Sequence, residues 1–283
     1  MTLTGAARLA GVMGWPVAHS RSPALHGFWL AEHGIDGAYV PLAVRPEHLG
    51  SALRALPQLG FAGCNVTIPH KAAVLAAVDE ADEAARRAGG VNTVVVGADG
   101  RLHGSSTDGF GFLEALRAAA PGWRAAQGPA VVIGAGGAGR AIVAALLDAG
   151  AGEIRLVNRT PAHAAALAAA LGGPVRILAW EERAAALAGA RLLVNATSLG
   201  MVGQPPLDLA LDALPRDAVV NDIVYVPLET TLLAAARARG NLAVDGLDML
   251  LHQGRPGFAA WFGVMPQVTP ALRRAVLATL AKP

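Results

Sequence analysis

Short runs of β-branched and aliphatic residues alternate with alanine-rich helical stretches along almost the whole of the 283 residues. Strands that each hand over to a helix return parallel to one another, so the pattern predicts an α/β class with parallel sheets covered by helices. In the first third the strands fall near Leu9–Gly14, Ala38–Ala43, Phe61–Val66 and Val91–Val96, with helices near Pro23–His33, Pro46–Leu56 and Lys71–Ala88. A second series begins at Ala130, with strands near 130–133, 154–158, 191–195, 218–222 and 242–245 and helices between them. The join lies near Thr107–Gly111, where the hairpin-like GADGRLHG gives way to a helical stretch over Phe110–Ala120. After Val244 the chain reads as helical, with Asp248–Gln253, Phe258–Phe262 and Pro270–Leu280 as its pieces. A helical tail of this kind must lay its apolar face on something already folded.

Several classes are excluded at this level. No apolar run reaches the roughly 18 to 20 residues of a membrane span, since the best candidate, from Ala130, is broken by glycines and Arg140. The start has Arg8 inside its apolar stretch and Pro16 and His19 closing it, which is not the pattern of a signal peptide. A single cysteine, Cys64, allows no internal disulfide and fits a reducing cytoplasm. The formal charge is only +2, and the arginines are scattered. That argues against a nucleic-acid surface and for a small-molecule partner.

The segment AVVIGAGGAGRAIVAAL, from Ala130, places Gly134, Gly136 and Gly139 in GxGxxG register between an apolar strand and a helix. In that setting the glycines permit a tight turn and close approach of backbone to a pyrophosphate, and the helix start supplies the anion site. Gly134, Ala135, Gly136, Gly137, Ala138 and Gly139 are therefore cofactor candidates. About twenty residues on, where an NAD site usually carries an acid, the chain reads Asn158-Arg159-Thr160. A guanidinium and two small polar groups suit a 2′-phosphate, so the cofactor expected is NADP. The alternative is a surface arginine with Asn158 and Thr160 capping the next helix.

Lys71 is one of two lysines among 23 basic residues, the other being Lys282. An ammonium can give up a proton where a guanidinium does not, which makes Lys71 a proton-carrier candidate. It follows Asn65-Val66-Thr67-Ile68-Pro69-His70, a strand end and turn with Pro69 read as the helix start. In a first helical turn a lysine meets the positive end of the helix dipole, an unusual place for a merely solvating charge. His19-Ser20-Arg21-Ser22-Pro23 is a second cluster, with Ser22 read as the N-cap and the hydroxyls beside backbone N–H groups that suit a carboxylate. A third combines Asn92 and Thr93 with Thr107-Asp108-Gly109, in which Asp108 can orient Lys71 and share its proton.

Taken together these residues resemble the shikimate and quinate dehydrogenase family, over nearly the whole chain. The matching segments are HSRSP at 19–23, NVTIPHK at 65–71, AGGVNT at 88–93, STDG at 106–109, GAGGAGRA at 134–141, NRT at 158–160, NATSLGM at 195–201, DIVYVP at 222–227 and GLDMLLHQ at 246–253. The resemblance implies reversible NADPH-dependent reduction of 3-dehydroshikimate to shikimate, on the route to aromatic amino acids. It implies that Lys71 and Asp108 are the catalytic pair, that Ser20, Ser22 and Tyr225 hold the substrate carboxylate, and that Thr67, Asn92 and Gln253 hold the ring hydroxyls. Residues 134–139, Asn158, Arg159, Thr160 and Gly246 would contact the cofactor, and no metal is called for. The implied organisation is a substrate domain at 1–107, a Rossmann-type NADP domain at 108–246 and helices at 247–283 returning to the substrate domain, in a cytoplasmic monomer or homodimer.

Three positions depart from the family pattern. Ser106 stands where asparagine is common, Ala72 where glutamate follows the lysine, and Ala162-His163 where some NADP-specific members carry a second basic residue. The last predicts a milder preference for NADP over NAD. The competing readings are a quinate or dual quinate/shikimate dehydrogenase and a non-catalytic dinucleotide-binding sensor; a sensor has no need of Lys71, Asp108 and the serine pair together.

Overall fold

The structure is a computed structural model that describes residues 3–280, so Lys282 lies outside the described residues. The chain divides into two compact units. Residues up to Thr107 together with those from Leu251 onward form the first, and Asp108–Leu250 the second. The second boundary thus falls inside a helix, a few residues beyond Gly246.

In the first unit β1 (Arg8–Gly14), α1 (Ser22–Glu32), β2 (Gly37–Ala43), α2 (Leu49–Gln58), β3 (Phe61–Val66), α3 (Lys71–Ala77), β4 (Glu80–Ala81), α4 (Glu83–Ala88), β5 (Thr93–Val96) and β6 (Leu102–Ser105) follow in order. They build one sheet, β2-β1-β3-β5-β6-β4. β1 is parallel to β2 and β3, but β5 is antiparallel to β3 and to β6. This sheet is mixed rather than parallel, because the connection at 97–101 is too short for a crossover and closes a hairpin. The one helix expected over Lys71–Ala88 is two, α3 and α4. Asp82 interrupts it by capping α4, its Oδ1 accepting from the Ala85 N–H at 2.7 Å. Successive β3 side chains take opposite faces. Cys64 and Val66 join Met13, Leu53, Leu56, Val74 and Val94 in the core under α2 and α3.

The second unit runs α5 (Asp108–Ala119), β7 (Ala130–Ile133), α6 (Gly137–Asp148), β8 (Ile154–Val157), α7 (Pro161–Leu171), β9 (Val175–Leu178), β10 (Leu192–Asn195), β11 (Val219–Asp222), α8 (Thr231–Ala238) and β12 (Leu242–Val244). Its sheet, β12-β11-β10-β7-β8-β9, is parallel throughout. The order reverses between β7 and β10, the doubly wound arrangement in which ligands bind at the carboxyl ends of the strands. Alternate residues of β7 feed the two faces: Val132 packs with Phe112, Ile142 and Leu146, while Val131 and Ile133 pack with Leu193, Val220 and Leu233. β9 was not expected from the sequence. It is a four-residue edge strand, mostly open to solvent and carrying Arg176, so it lacks the apolar run that marks a central strand.

Two helices end the described residues, α9 (Gly246–Phe262) and α10 (Pro270–Leu280). The two pieces expected at Asp248–Gln253 and Phe258–Phe262 are one helix running through Pro256. A proline inside a helix costs about 3 kcal/mol. Leu251, Phe258 and Trp261 on either side are 0, 0 and 1% exposed, and burying each contributes about 1.5–3 kcal/mol, so the helix continues. Phe258 and Trp261 stack into an aromatic cluster with His26, Trp29 and Tyr39 on the other face of the first sheet. Gly63 permits this. Its φ is +151°, and a Cβ there would lie 2.4 Å from Trp261 Nε1, which crosses β3 to donate to the Val94 carbonyl at 3.0 Å.

Candidate active site

The serine cluster sits where β1 gives way to α1. The cap of α1 is Arg21, without a side-chain cap bond, so Ser22 is the first helical residue rather than the N-cap. Proline at the second position supplies no donor, and the Ser20 Oγ accepts from the Ser22 N–H at 3.3 Å. Both hydroxyls thus stand at the electropositive end of α1, with Ser22 almost wholly buried.

Thr67 is held by its backbone, donating to the Met13 carbonyl at 2.9 Å while its own carbonyl accepts from His70 at 3.0 Å. Gly14 makes room, since a Cβ there would lie 2.4 Å from Thr67 Cγ2. Helix α3 begins at Lys71, two residues after Pro69, because residues 67–70 form a turn of their own. His70 is turned inward, its Nε2 2.7 Å from the Val44 carbonyl, which leaves Lys71 as the ionisable residue on the partly open side of the turn. The Lys71 carbonyl accepts from Val91 N–H at 2.9 Å, and a Cβ on Gly90 would lie 3.2 Å from Lys71 Cβ. Glycine therefore lets the Val91–Asn92 segment lie against Lys71.

Asn92 is 2% exposed and its carboxamide is fixed from several sides. Its Oδ1 accepts from the Thr107 N–H at 2.9 Å and the Thr93 hydroxyl at 3.0 Å, and its Nδ2 donates to Gln253 Oε1 at 3.3 Å. The Thr107 hydroxyl donates to the Gln253 carbonyl at 2.8 Å. Gln253, from α9, is thus bound to Asn92 and Thr107 of the same unit. Asp108 follows Thr107 directly and opens α5. Ser106 is buried, and the backbone entering Asp108 is held by the Thr107 bonds rather than by a side chain at 106.

In the second unit Gly134, at φ +113°, turns the chain out of β7, and a Cβ on Gly139 would lie 2.1 Å from the Gly134 carbonyl. Gly136 caps α6 with no side chain over the helix start, and nothing lies within 4 Å of a Cβ at Gly136 or Gly137. That open cradle of backbone at a helix N-terminus fits a pyrophosphate. Ala135 and Ala138 are half-buried within the same turn. Asn158 ties it to β8: Oδ1 accepts from Ala135 N–H at 3.0 Å and Nδ2 donates to the Thr160 carbonyl at 2.8 Å. Arg159 and Thr160 are exposed; Thr160 occupies the N-cap of α7 without a side-chain bond.

Beyond β10 and β11 the sequence reading missed a buried cluster. Asp222 accepts from Asn195 Nδ2 at 3.0 Å, the Val224 N–H at 3.0 Å and the Thr230 hydroxyl at 2.7 Å. Burial pushes its carboxyl above the ordinary range, and these three bonds oppose that. The cluster fixes the turn leading to Tyr225, which is half-buried. Gly246, where a Cβ would lie 2.1 Å from the Ile223 carbonyl, brings the start of α9 against the same turn. The signal was present in the polar pair Asn221-Asp222 ending an otherwise apolar strand.

Comparison with known proteins places this geometry. Residues 12–94 match the shikimate dehydrogenase substrate binding domain and residues 118–201 the shikimate / quinate 5-dehydrogenase family. The chain is 64% identical over 275 residues to shikimate dehydrogenase (NADP(+)) of Paramagnetospirillum magneticum, covering 97% of this chain and 100% of that one. Among solved structures it is similar to shikimate 5-dehydrogenase from Thermus thermophilus in complex with NADP(H) and shikimate, at 41% identity and TM-score 0.85, covering 96% and 99% of the two chains. Quinate dehydrogenase from Corynebacterium glutamicum in complex with NAD has TM-score 0.88 at 33% identity, with the same coverage. The chain belongs to the shikimate dehydrogenase family.

Proposed function

We propose that the chain catalyses the reversible NADPH-dependent reduction of 3-dehydroshikimate to shikimate. The observation that carries this beyond family membership is the Asn92 carboxamide, locked by Thr93, Thr107 and Gln253, one residue from the Val91 amide bonded to Lys71. A fixed hydrogen-bonding edge beside a lysine suits a polyhydroxylated ring with one reacting oxygen. Ser20 and Ser22, with Tyr225, receive the substrate carboxylate, and Thr67, Asn92 and Gln253 hold the ring hydroxyls.

NADPH, when bound, supplies the hydride for the ketone carbon. The Gly134–Gly139 cradle would hold its pyrophosphate, Asn158, Arg159 and Thr160 its 2′-phosphate end, and Gly246 would line the site. The Lys71 ammonium stabilises the oxyanion that develops on the substrate oxygen and donates a proton to it; a guanidinium would do the first and hardly the second. Asp108 is assigned as the carboxylate that orients this lysine and shares its proton. The same reading makes the protein a cytoplasmic monomer or homodimer, in keeping with a lone, fully buried Cys64.

The test is oxidation of shikimate by NADP+, followed as NADPH absorbance, with quinate as the comparison substrate. Lys71→Met should keep NADP+ binding and lose roughly 10²–10⁴ in kcat; wild-type turnover in that variant would remove Lys71 from the mechanism.

A further inference from the structure

Beneath the candidate substrate residues, the first sheet carries a buried polar chain. The Tyr39 hydroxyl, on a side chain 7% exposed, donates to Asn65 Oδ1 at 2.6 Å. Asn65 Nδ2 donates onward to the Asn92 carbonyl and to the Thr93 hydroxyl, both at 3.1 Å. Having accepted there, the Thr93 hydroxyl has its proton left for Asn92 Oδ1, at 3.0 Å.

The chain therefore runs in a single direction, from Tyr39 through Asn65 and Thr93 to Asn92 and Gln253. It joins the aromatic cluster beneath the sheet to the residues assigned to the ring hydroxyls. Its direction decides which end of the Asn92 carboxamide is committed to Thr93 and Thr107 and which faces Gln253. Tyr39 itself is held flat against the His26 ring, at a centroid separation of 4.0 Å and an interplanar angle of 6°. We infer that Tyr39 is a positioning residue for the substrate: its hydroxyl sets the orientation of Asn65, and through it that of Asn92 and Gln253. This rests on the dehydrogenase reading above.

Tyr39→Phe keeps the stacked ring and removes only the hydroxyl. The KM for shikimate should rise at least fivefold, while the KM for NADP+ stays within twofold and kcat changes less than KM. A merely structural loss would lower kcat through the active fraction and leave KM in place. In an Asn92→Ala background the same change should add no further increase in KM, because the link is already cut. Should Tyr39→Phe fail to fold, Asn65→Ala removes the intermediary and should give the same KM pattern. An unchanged shikimate KM in the folded variant, or full additivity with Asn92→Ala, overturns the role of Tyr39 while wild-type turnover of shikimate stands. A wild-type chain that does not oxidise shikimate overturns the underlying reading instead, in a separate arm of the same assay.

Discussion

His26 has no exposed surface, and neither ring nitrogen has a hydrogen-bond partner among the described residues. It is packed among Tyr39, Trp29, Phe258 and Trp261. Burial pushes its pKa down from 6.5 to about 3; the nearby Asn65 side chain opposes this only in part, and no hydrogen bond of normal geometry joins the two. Above pH 6.5 the ring is neutral both folded and unfolded, and the full stability is present. As pH falls from 6.5 towards 3, only the unfolded chain takes up the proton, and stability is lost at about 1.4 kcal/mol per pH unit. Denaturant midpoints of wild type and His26→Phe should therefore diverge below pH 6.5; parallel curves would show that His26 does not carry the acid sensitivity. A second residue-scale expectation concerns Arg159, which stands without a second cation at Ala162-His163. kcat/KM should favour NADP over NAD, less strongly than where two cations are present, and Arg159→Ala should abolish the preference; equal or NAD-favouring values in wild type would refute the assignment. Ser20, Thr67, Lys71 and Asn158 are legible as candidates because each stands in a short contiguous motif, at 19–23, 65–71 and 158–160. Tyr39 and His26 are not, because their surroundings come from α9 and β3, far away in sequence.

At the scale of elements, two glycines of one motif separate fold from function. Gly139 sits 2.1 Å, as a virtual Cβ, from the Gly134 carbonyl, so Gly139→Ala should fail to fold or melt well below wild type. Gly136 has φ −79° and open space where a Cβ would go. Gly136→Ala should therefore keep the wild-type melting temperature, yet raise the KM for NADP+ at least tenfold by intruding where phosphate approaches backbone. Equal damage to stability in both variants would mean that the spacing serves the turn alone. Strands β1, β3, β7, β8, β10 and β11 were readable within a residue or so, since central strands are continuous apolar runs. The misreadings share a cause: β9 lies at an edge, α3 and α4 are divided by one capping aspartate, and α9 continues past a proline because burial on both sides outweighs one lost bond. Each outcome depends on tertiary context that local pattern does not contain.

For the molecule as a whole, the α/β class and the doubly wound second unit follow from the alternation of strand and helix runs. What alternation does not reveal is that the first unit is discontinuous. Trp29 Nε1 donates to the Gln267 carbonyl at 3.1 Å and Trp261 Nε1 to that of Val94, so this unit is completed by the far end of the chain. A chain stopped after Leu250 should still bind NADP+ by calorimetry, lose shikimate binding and show red-shifted tryptophan fluorescence; retained shikimate affinity would argue that the last helices are dispensable. The same discontinuity sets an order of events on the ribosome. Translation at about 5–20 residues per second takes on the order of ten seconds to pass through Asp108–Leu250. For that interval the nascent sheet that began first has one face bare of Phe258 and Trp261, and at its end the later-started unit has its whole sequence while the first still lacks the residues from Leu251 on. The unit begun first is finished last, and its uncovered face is where a co-translational holdase would find this chain.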